Sequence, residues 1–200
     1  MSEKEDVQLA QSGDFTAFNR LIASNKSKLY ALAYKMTGNQ LDAEDIVSET
    51  LVKAIDNIDK FRGESAFGTW LYSIALNQSR ALLAKQKQVD LKPIEEYLPT
   101  KTADEMHSGS SFSLFDWDDP HQKLESAELK AIINQAITEL PVKYREVFIL
   151  RYIEELSIKE IAKIINESVA STKSRVLRAK LAARDYLSKQ FEVRYGQKMS

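Results

Sequence analysis

The sequence predicts an all-α fold, two small helical domains joined by a flexible acidic linker. Three observations carry this. Apolar residues recur at helical spacing along nearly the whole chain, and strand signals are almost absent. The periodicity fails from Val89 to Pro120, a stretch with Pro93, Pro99 and the run Ser108-Gly109-Ser110-Ser111. That stretch is longer than a compact domain tolerates without structure. Beyond it, Leu156 to Leu187 reads as two short helices across a tight turn, the second carrying a row of cations. The expected units are residues 1–88, a linker 89–120, a second domain 121–190 and a tail 191–200.

Each element has its own signal. Asp14 can cap a helix opening near Phe15, with Phe18, Leu21 and Ile22 on one face. Leu29, Leu32, Ala33 and Met36 continue the pattern after Asn25, until Gly38 and Asn39 break it. Asp42 is expected to cap the next helix, in which Val47, Leu51, Ala54, Ile55 and Ile58 fall at helical spacing. A turn at Phe61 to Ser65 leads into a helix from about Ala66 to Lys85, with Phe67, Trp70, Leu71, Ile74 and Leu82 available for burial. Pro120 suits the first turn of a helix carrying Leu124, Ala127, Leu129, Ile132, Ile133, Ala136, Ile137 and Leu140. Pro141 starts the next, with Val142, Tyr144, Val147, Phe148 and Leu150.

Ser157 and Glu160 then form a capping box for a helix whose Ile158, Ile161, Ala162 and Ile165 share a face. Asn166 tolerates the left-handed conformation a helix C-terminus needs, and Ser168 can cap the last helix. In that helix Val169, Thr172, Val176, Ala179 and Ala183 fall on one face, while Lys173, Arg175, Arg178, Lys180 and Arg184 lie mostly off it.

Composition excludes several classes. There is no Cys, so disulfides and thiolate metal sites are out, and the only two His, His107 and His121, lie in or beside the linker stretch. No metal or cofactor is expected. No apolar run approaches the roughly 20 residues of a membrane span. The opening MSEKEDVQLAQSGDF is charged and lacks the apolar core of a signal peptide, so a soluble cytoplasmic protein is expected. The net charge of −1 hides a strong zoning. Val89 to Asp119 holds eight acids against two bases, and Ser168 to Lys198 eight bases against two acids. A partner feels the nearest charges, within a Debye length of about 10 Å, so the C-terminal segment is locally suited to a polyanion.

Two helices held by their apolar faces, the second projecting small and basic side chains from its first turns, is the layout of a helix-turn-helix DNA reader. A basic amphipathic helix alone is usually a solvated face. The capped first helix, the short turn and the small residues Ala170, Ser171 and Ser174 point further, because the helix N-terminus must approach base edges closely. In the first domain Phe61, Phe67, Trp70 and Tyr72 crowd into twelve residues. They read as a small core, or as rings beside Asn77, Arg80, Lys85 and Lys87 on a surface suited to single-stranded DNA. There rings stack on bases, an amide reads a base edge and cations track phosphates. Asp42, Glu44, Asp45 and Glu49 put four acids in eight residues, more than capping and dipole compensation require. They suit a docking face for a basic partner. No accompanying nucleophile or His makes them an acid/base pair or metal site.

Together these residues carry a resemblance to the sigma-70 family, specifically to the extracytoplasmic-function (ECF) sigma factors of bacterial RNA polymerase. Asp42-Ala43-Glu44-Asp45 resembles that family's DAED helix start. Phe67-Gly68-Thr69-Trp70-Leu71-Tyr72-Ser73-Ile74-Ala75-Leu76-Asn77 resembles its F-x-T-W-L-Y-x-I-A-x-N segment. Leu140-Pro141-x-x-Tyr144-Arg145-x-Val147 is similar to the opening of its second domain. Leu156-Ser157-x-x-Glu160-Ile161-Ala162 and Thr172-Lys173-Ser174-Arg175 are similar to its helix-turn-helix. The likeness runs in order from about Phe15 to Leu187. Ser48, Ser73, Ala170 and Thr172 stand where the family commonly has Gln, Arg, Gly and Val.

The resemblance implies a non-catalytic initiation subunit that binds core RNA polymerase at its clamp and flap, recognises two promoter elements and promotes DNA melting. Asp42, Glu44, Asp45 and Glu49 would face the clamp. Trp70, Asn77 and Arg80, with Lys85 and Lys87, would read the unpaired strand of the minus-ten element. Ser171, Thr172, Lys173, Ser174 and Arg175 would face base edges or phosphates of the minus-thirty-five element, and Arg178 its backbone. The acidic linker would run through polymerase channels otherwise used by RNA. An anti-sigma factor is an implied partner. The competing expectation is a stand-alone helix-turn-helix regulator, usually a dimer on paired half-sites. An enzyme acting on nucleic acid lacks a nucleophile, base or metal constellation.

Overall fold

The computed structural model of the chain describes residues 2–89 and 120–195, with side chains placed from 2 to 86 and from 129 to 190. The described residues form eight helices and no strand: α1 (Glu3–Gln11), α2 (Phe15–Thr37), α3 (Gln40–Asp56), α4 (Phe67–Val89), α5 (Pro120–Glu139), α6 (Val142–Tyr152), α7 (Ile158–Ile165) and α8 (Val169–Tyr195). A single 3₁₀ turn, Ile58–Lys60, joins α3 to the loop before α4. The expected linker lies, except at its two ends, outside the described residues, as does the end of the expected tail.

Most local signals act as anticipated. Asp14 Oδ1 accepts from the backbone N–H groups of Thr16 and Ala17 at 2.8 and 3.1 Å and opens α2. Gly38, at φ 72°, closes that helix in the left-handed conformation. α2 continues through Asn25 for 23 residues, as the spacing implied. Two points differ from expectation. Asn39, not Asp42, caps α3, its Oδ1 accepting from the Asp42 N–H at 3.1 Å. α1 was not anticipated. It is a short polar helix started by a Ser2–Glu5 capping box, with Asp6, Val7 and Ala10 buried against α2 and Asp6 bound by Arg20 at 2.5 Å.

In the first domain α2, α3 and α4 bury Phe18, Leu21, Leu29, Leu32, Met36, Ile46, Phe67, Leu71 and Leu76. The buried face of α3 is centred on Ala43, Ile46, Thr50 and Ala54. Ile55, one residue off that face, is 40% exposed, contrary to its expected burial. Leu129 on α5 is likewise exposed. In the second domain Leu140, Tyr144, Val147, Leu150, Ile161, Ile165, Val176 and Ala179 make the core under the α7–α8 pair.

The two domains are packed together. α2 lies against α5 and α6, α4 against α7, and one apolar core runs through both. Arg145 of α6 ties the seam. Its guanidinium donates to the carbonyls of Leu140, Thr138 and Met36, the last across the domain boundary. Met36 and Thr138 lie in the last turns of α2 and α5, where carbonyls have no partner within the helix and the dipole favours a cation. Burial pushes the Arg145 pKa down, opposed by the charge of Glu139.

Candidate nucleic-acid interface

The α7–α8 pair is built from local chemistry. Ser157 Oγ accepts from the Glu160 N–H at 3.3 Å while Glu160 Oε2 accepts from the Ser157 N–H at 2.8 Å. These bonds, the Ser157 hydroxyl first, hold the Glu160 carboxyl below its ordinary range. Asn166 ends α7 at φ 56°, ψ 51°, and the Glu167 N–H returns to the Ala162 carbonyl at 2.9 Å. Ser168 Oγ then accepts from the Ser171 N–H at 3.1 Å. These bonds give partners to several backbone groups that the two helix ends leave over.

This geometry presents Val169, Ala170, Ser171, Lys173, Ser174, Leu177, Arg178 and Lys180 to solvent from the first half of α8. Two of the expected contacts are not on that surface. Thr172 is fully buried, its hydroxyl donating to the Ser168 carbonyl at 2.9 Å, so it anchors the helix and does not face solvent. Its place on the same face as Val176 and Ala179 explains this. Arg175 is turned inward, with 21% of its side chain exposed, onto Glu167 of the turn and Glu146 of α6.

On α4, Trp70 is half-buried, its ring 5.2 Å from that of Phe61 and 5.5 Å from that of Phe67. The aromatic cluster is thus mainly core, with Trp70 only partly buried. Asn77, two turns on, is exposed, and its Oδ1 accepts from Arg80 Nη1 at 3.0 Å. Arg80 Nε also donates to Glu146 Oε2 at 2.7 Å, across the domain seam. Lys85 is exposed, whereas the side chain of Lys87 lies outside the described ones. A further seam bond runs from Tyr72 Oη to Glu154 Oε2 at 2.5 Å. Burial, then that hydrogen bond, pushes the Tyr72 hydroxyl pKa well up.

α3 carries a third surface. Glu44, Asp45 and Glu49 are exposed, while Asp42 is half-buried and accepts from Gln86 Nε2 at 3.1 Å. Before and after these acids on the same helix stand Leu41, Val52 and Ile55, exposed by 72%, 57% and 40%. With Asp45 and Ser48 they follow a spacing of three and four residues, an outward apolar stripe edged with acids. The acids were legible in the sequence, and the same spacing would have revealed the stripe. Among the described residues no cluster of His, Asp or Glu could hold a metal ion. No described helix is long and apolar enough to cross a membrane.

Comparison with known proteins matches both domains. Residues 21–89 match the family model of Sigma-70 region 2, and residues 130–182 that of Sigma-70 region 4. The chain is 37% identical over 188 residues to the ECF RNA polymerase sigma factor SigW of Bacillus subtilis, covering 94% of this chain and 97% of that protein. It is 34% identical over 180 residues to the ECF RNA polymerase sigma-E factor of Haemophilus influenzae, covering 90% and 92%. Two solved structures share the fold. CnrH, solved in complex with the cytosolic domain of CnrY, aligns with a TM-score of 0.65 and 24% identity over 94% of this chain and 97% of that one. RpoE, solved with the anti-sigma factor NepR from Bartonella quintana, aligns with a TM-score of 0.60 and 23% identity over 86% and 96%. The chain therefore belongs to the sigma-70 family, among its ECF RNA polymerase sigma factors.

Proposed function

We propose that the solvent-facing start of α8 reads the minus-thirty-five element of a promoter, and that the α4 surface captures the unpaired strand of its minus-ten element. The observation that carries this is the first half of α8. Small residues surround Lys173, Ser174 and Arg178 on a face that nothing else in the described structure covers. Ala170 and Ser171 let the helix N-terminus enter a major groove. Lys173 and Arg178 supply phosphate contacts. On α4, Asn77 offers an amide to an extruded base, Trp70 a partly buried ring, and Arg80, Lys85 and Lys87 charge along the backbone. Unstacking promoter bases costs a few kcal/mol per step, and capturing them offsets part of that.

The acidic and apolar stripe of α3 is assigned to the polymerase clamp, with Asp45 and Glu49 steering and Leu41, Val52 and Ile55 burying area. Asp42, tied to Gln86, would position the start of that helix. The protein acts without catalytic chemistry of its own, in the cytoplasm. RpoE was solved with an anti-sigma factor, and an anti-sigma protein is the proposed partner that would hold this one inactive.

One short recognition helix gives weak, salt-sensitive affinity, and polymerase raises the effective concentration of each DNA contact for the other. Hence the free protein binds a promoter weakly and the holoenzyme binds it specifically. The test is in vitro transcription with bacterial core polymerase on a genomic fragment library. New starts downstream of a shared two-part sequence, only with the protein present, support the proposal. Protein-dependent footprints on duplex DNA without polymerase, and no new starts, overturn it.

A further inference from the structure

Glu167, in the turn between α7 and α8, has both carboxylate oxygens engaged. Oε2 accepts from the Ser171 hydroxyl at 2.8 Å, and Oε1 accepts from Nη2 of Arg175. The other terminal nitrogen of that guanidinium, Nη1, donates at 3.2 Å to Glu146 of α6, which has 3% of its side chain exposed. A chain of polar side chains thus runs from the core under α8 to the start of that helix. Glu167 and Arg175 have 25% and 21% of their side chains exposed, and Ser171 is the exposed end.

The direction of the last bond is fixed. A carboxylate accepts and cannot donate, so the Ser171 hydroxyl gives its single proton to Glu167. What remains for a partner is the lone pairs of an oxygen. Phosphate oxygens are themselves acceptors, and two acceptors do not pair, so Ser171 held in this way is no phosphate contact. Ser174, almost one helical turn on, differs. No described residue bonds its hydroxyl, which can turn to donate or to accept.

We propose that Glu167 is a positioning residue for base recognition. It makes Ser171 a dedicated acceptor, and so restricts the base that Ser171 faces to one with an exocyclic amino group. In the major groove adenine and cytosine present that group, at N6 and N4, while guanine and thymine present a carbonyl oxygen, O6 or O4. The rule at this position is then amino against keto on the contacted strand, not purine against pyrimidine. Arg175 acts through Glu167, holding the carboxylate in place and offsetting its charge beside DNA phosphates, and Glu146 holds Arg175. This inference deepens the reading of α8 as the minus-thirty-five reader and rests on it.

The test uses holoenzyme assembled with bacterial core polymerase and a promoter library randomised across the minus-thirty-five element, with bound sequences counted. Ser171→Ala marks the position that Ser171 faces, as the one where base preference flattens. There the wild type should favour A and C over G and T on one strand by about fivefold, the low end of what a wrong base pair costs. Glu167→Ala frees the hydroxyl proton and should erase most of that difference, leaving the preferences at other positions unchanged. In the Ser171→Ala background it should alter no preference further. A merely structural Glu167 would instead lower binding to every sequence alike, in both backgrounds. Glu167→Asp, one methylene shorter, keeps the charge beside Arg175 but falls short of Ser171. It should flatten the same position, and it carries the test if a thermal melt shows Glu167→Ala to be unfolded.

A preference that both Glu167 variants leave intact, a marked position that favours G or T, or no position marked by Ser171→Ala overturns the proposal. If Lys173→Ala still weakens binding in that case, the reading of α8 survives. If no α8 variant changes binding to any library member, that reading falls with it.

Discussion

The carboxylate of Glu3 caps a helix that begins 64 residues later: its Oε1 accepts the Phe67 N–H at 3.0 Å. α1 is thereby fastened to the first turn of α4, where backbone N–H groups lack partners and the dipole favours negative charge. Glu3→Ala should cost about 1 kcal/mol and lower the melting temperature by roughly 2–4 °C. Glu3→Gln, which keeps an acceptor but not the charge, should recover part of the loss. Thermal melts followed by circular dichroism measure both. Equal stability in all three proteins would show that water replaces the cap.

Leu32 is fully buried in the middle of α2. Leu32→Ala should destabilise by about 2–5 kcal/mol, through lost burial and the cavity left behind. Urea denaturation should show a lower midpoint with an unchanged slope.

The capping box at the start of α7 makes stability depend on pH. The folded Glu160 carboxyl titrates below its ordinary value of 4.5. Its contribution is therefore complete above that value and is lost as pH falls through the lower, folded one. Denaturation midpoints measured from pH 6 to pH 3 should fall less steeply for Glu160→Gln than for the parent. Ser157→Ala should cost about 1 kcal/mol at neutral pH.

These predictions come from features that differ in how far they could be read in the sequence. Asp14, the Ser157–Glu160 box and Asn166 were legible because each acts on backbone within four residues of itself. Thr172 was placed on an apolar face and among DNA contacts at once, and the face prevailed because its hydroxyl finds the Ser168 carbonyl without leaving the helix. α1 was missed although Ser2 and Glu5 carry its box, since with Val7 and Ala10 its apolar face is narrow. Glu146 was not legible. Its neighbours in sequence, Arg145 and Val147, say nothing of Arg80, 66 positions away. Contacts across the domain seam depend on how separate helices meet, which no local period encodes.

The solvent face of α8 separates charge from anchoring. Lys173→Ala and Arg178→Ala should each weaken holoenzyme binding to promoter DNA and reduce its salt slope by about one. Thr172→Val, which fills the same buried space, should leave the slope unchanged. Filter binding from 50 to 200 mM salt distinguishes them.

On α3, Val52→Asp places a charge in the exposed apolar stripe without disturbing the core. It should lower affinity for core polymerase about tenfold or more while leaving the melting temperature within a degree or two. Competition for core against the wild-type protein measures the first, and calorimetry the second.

α2 is a single rod of 23 residues, about 34 Å long, packed against α1, α3 and α4 on one side of the chain's division and α5 and α6 on the other. Two domains that are separate in sequence therefore share a wall in space. Heat that loosens α2 loosens both, so the packed form melts as one thermodynamic particle. Calorimetry should therefore give a single endotherm, with the enthalpy taken from its shape equal to that from its area.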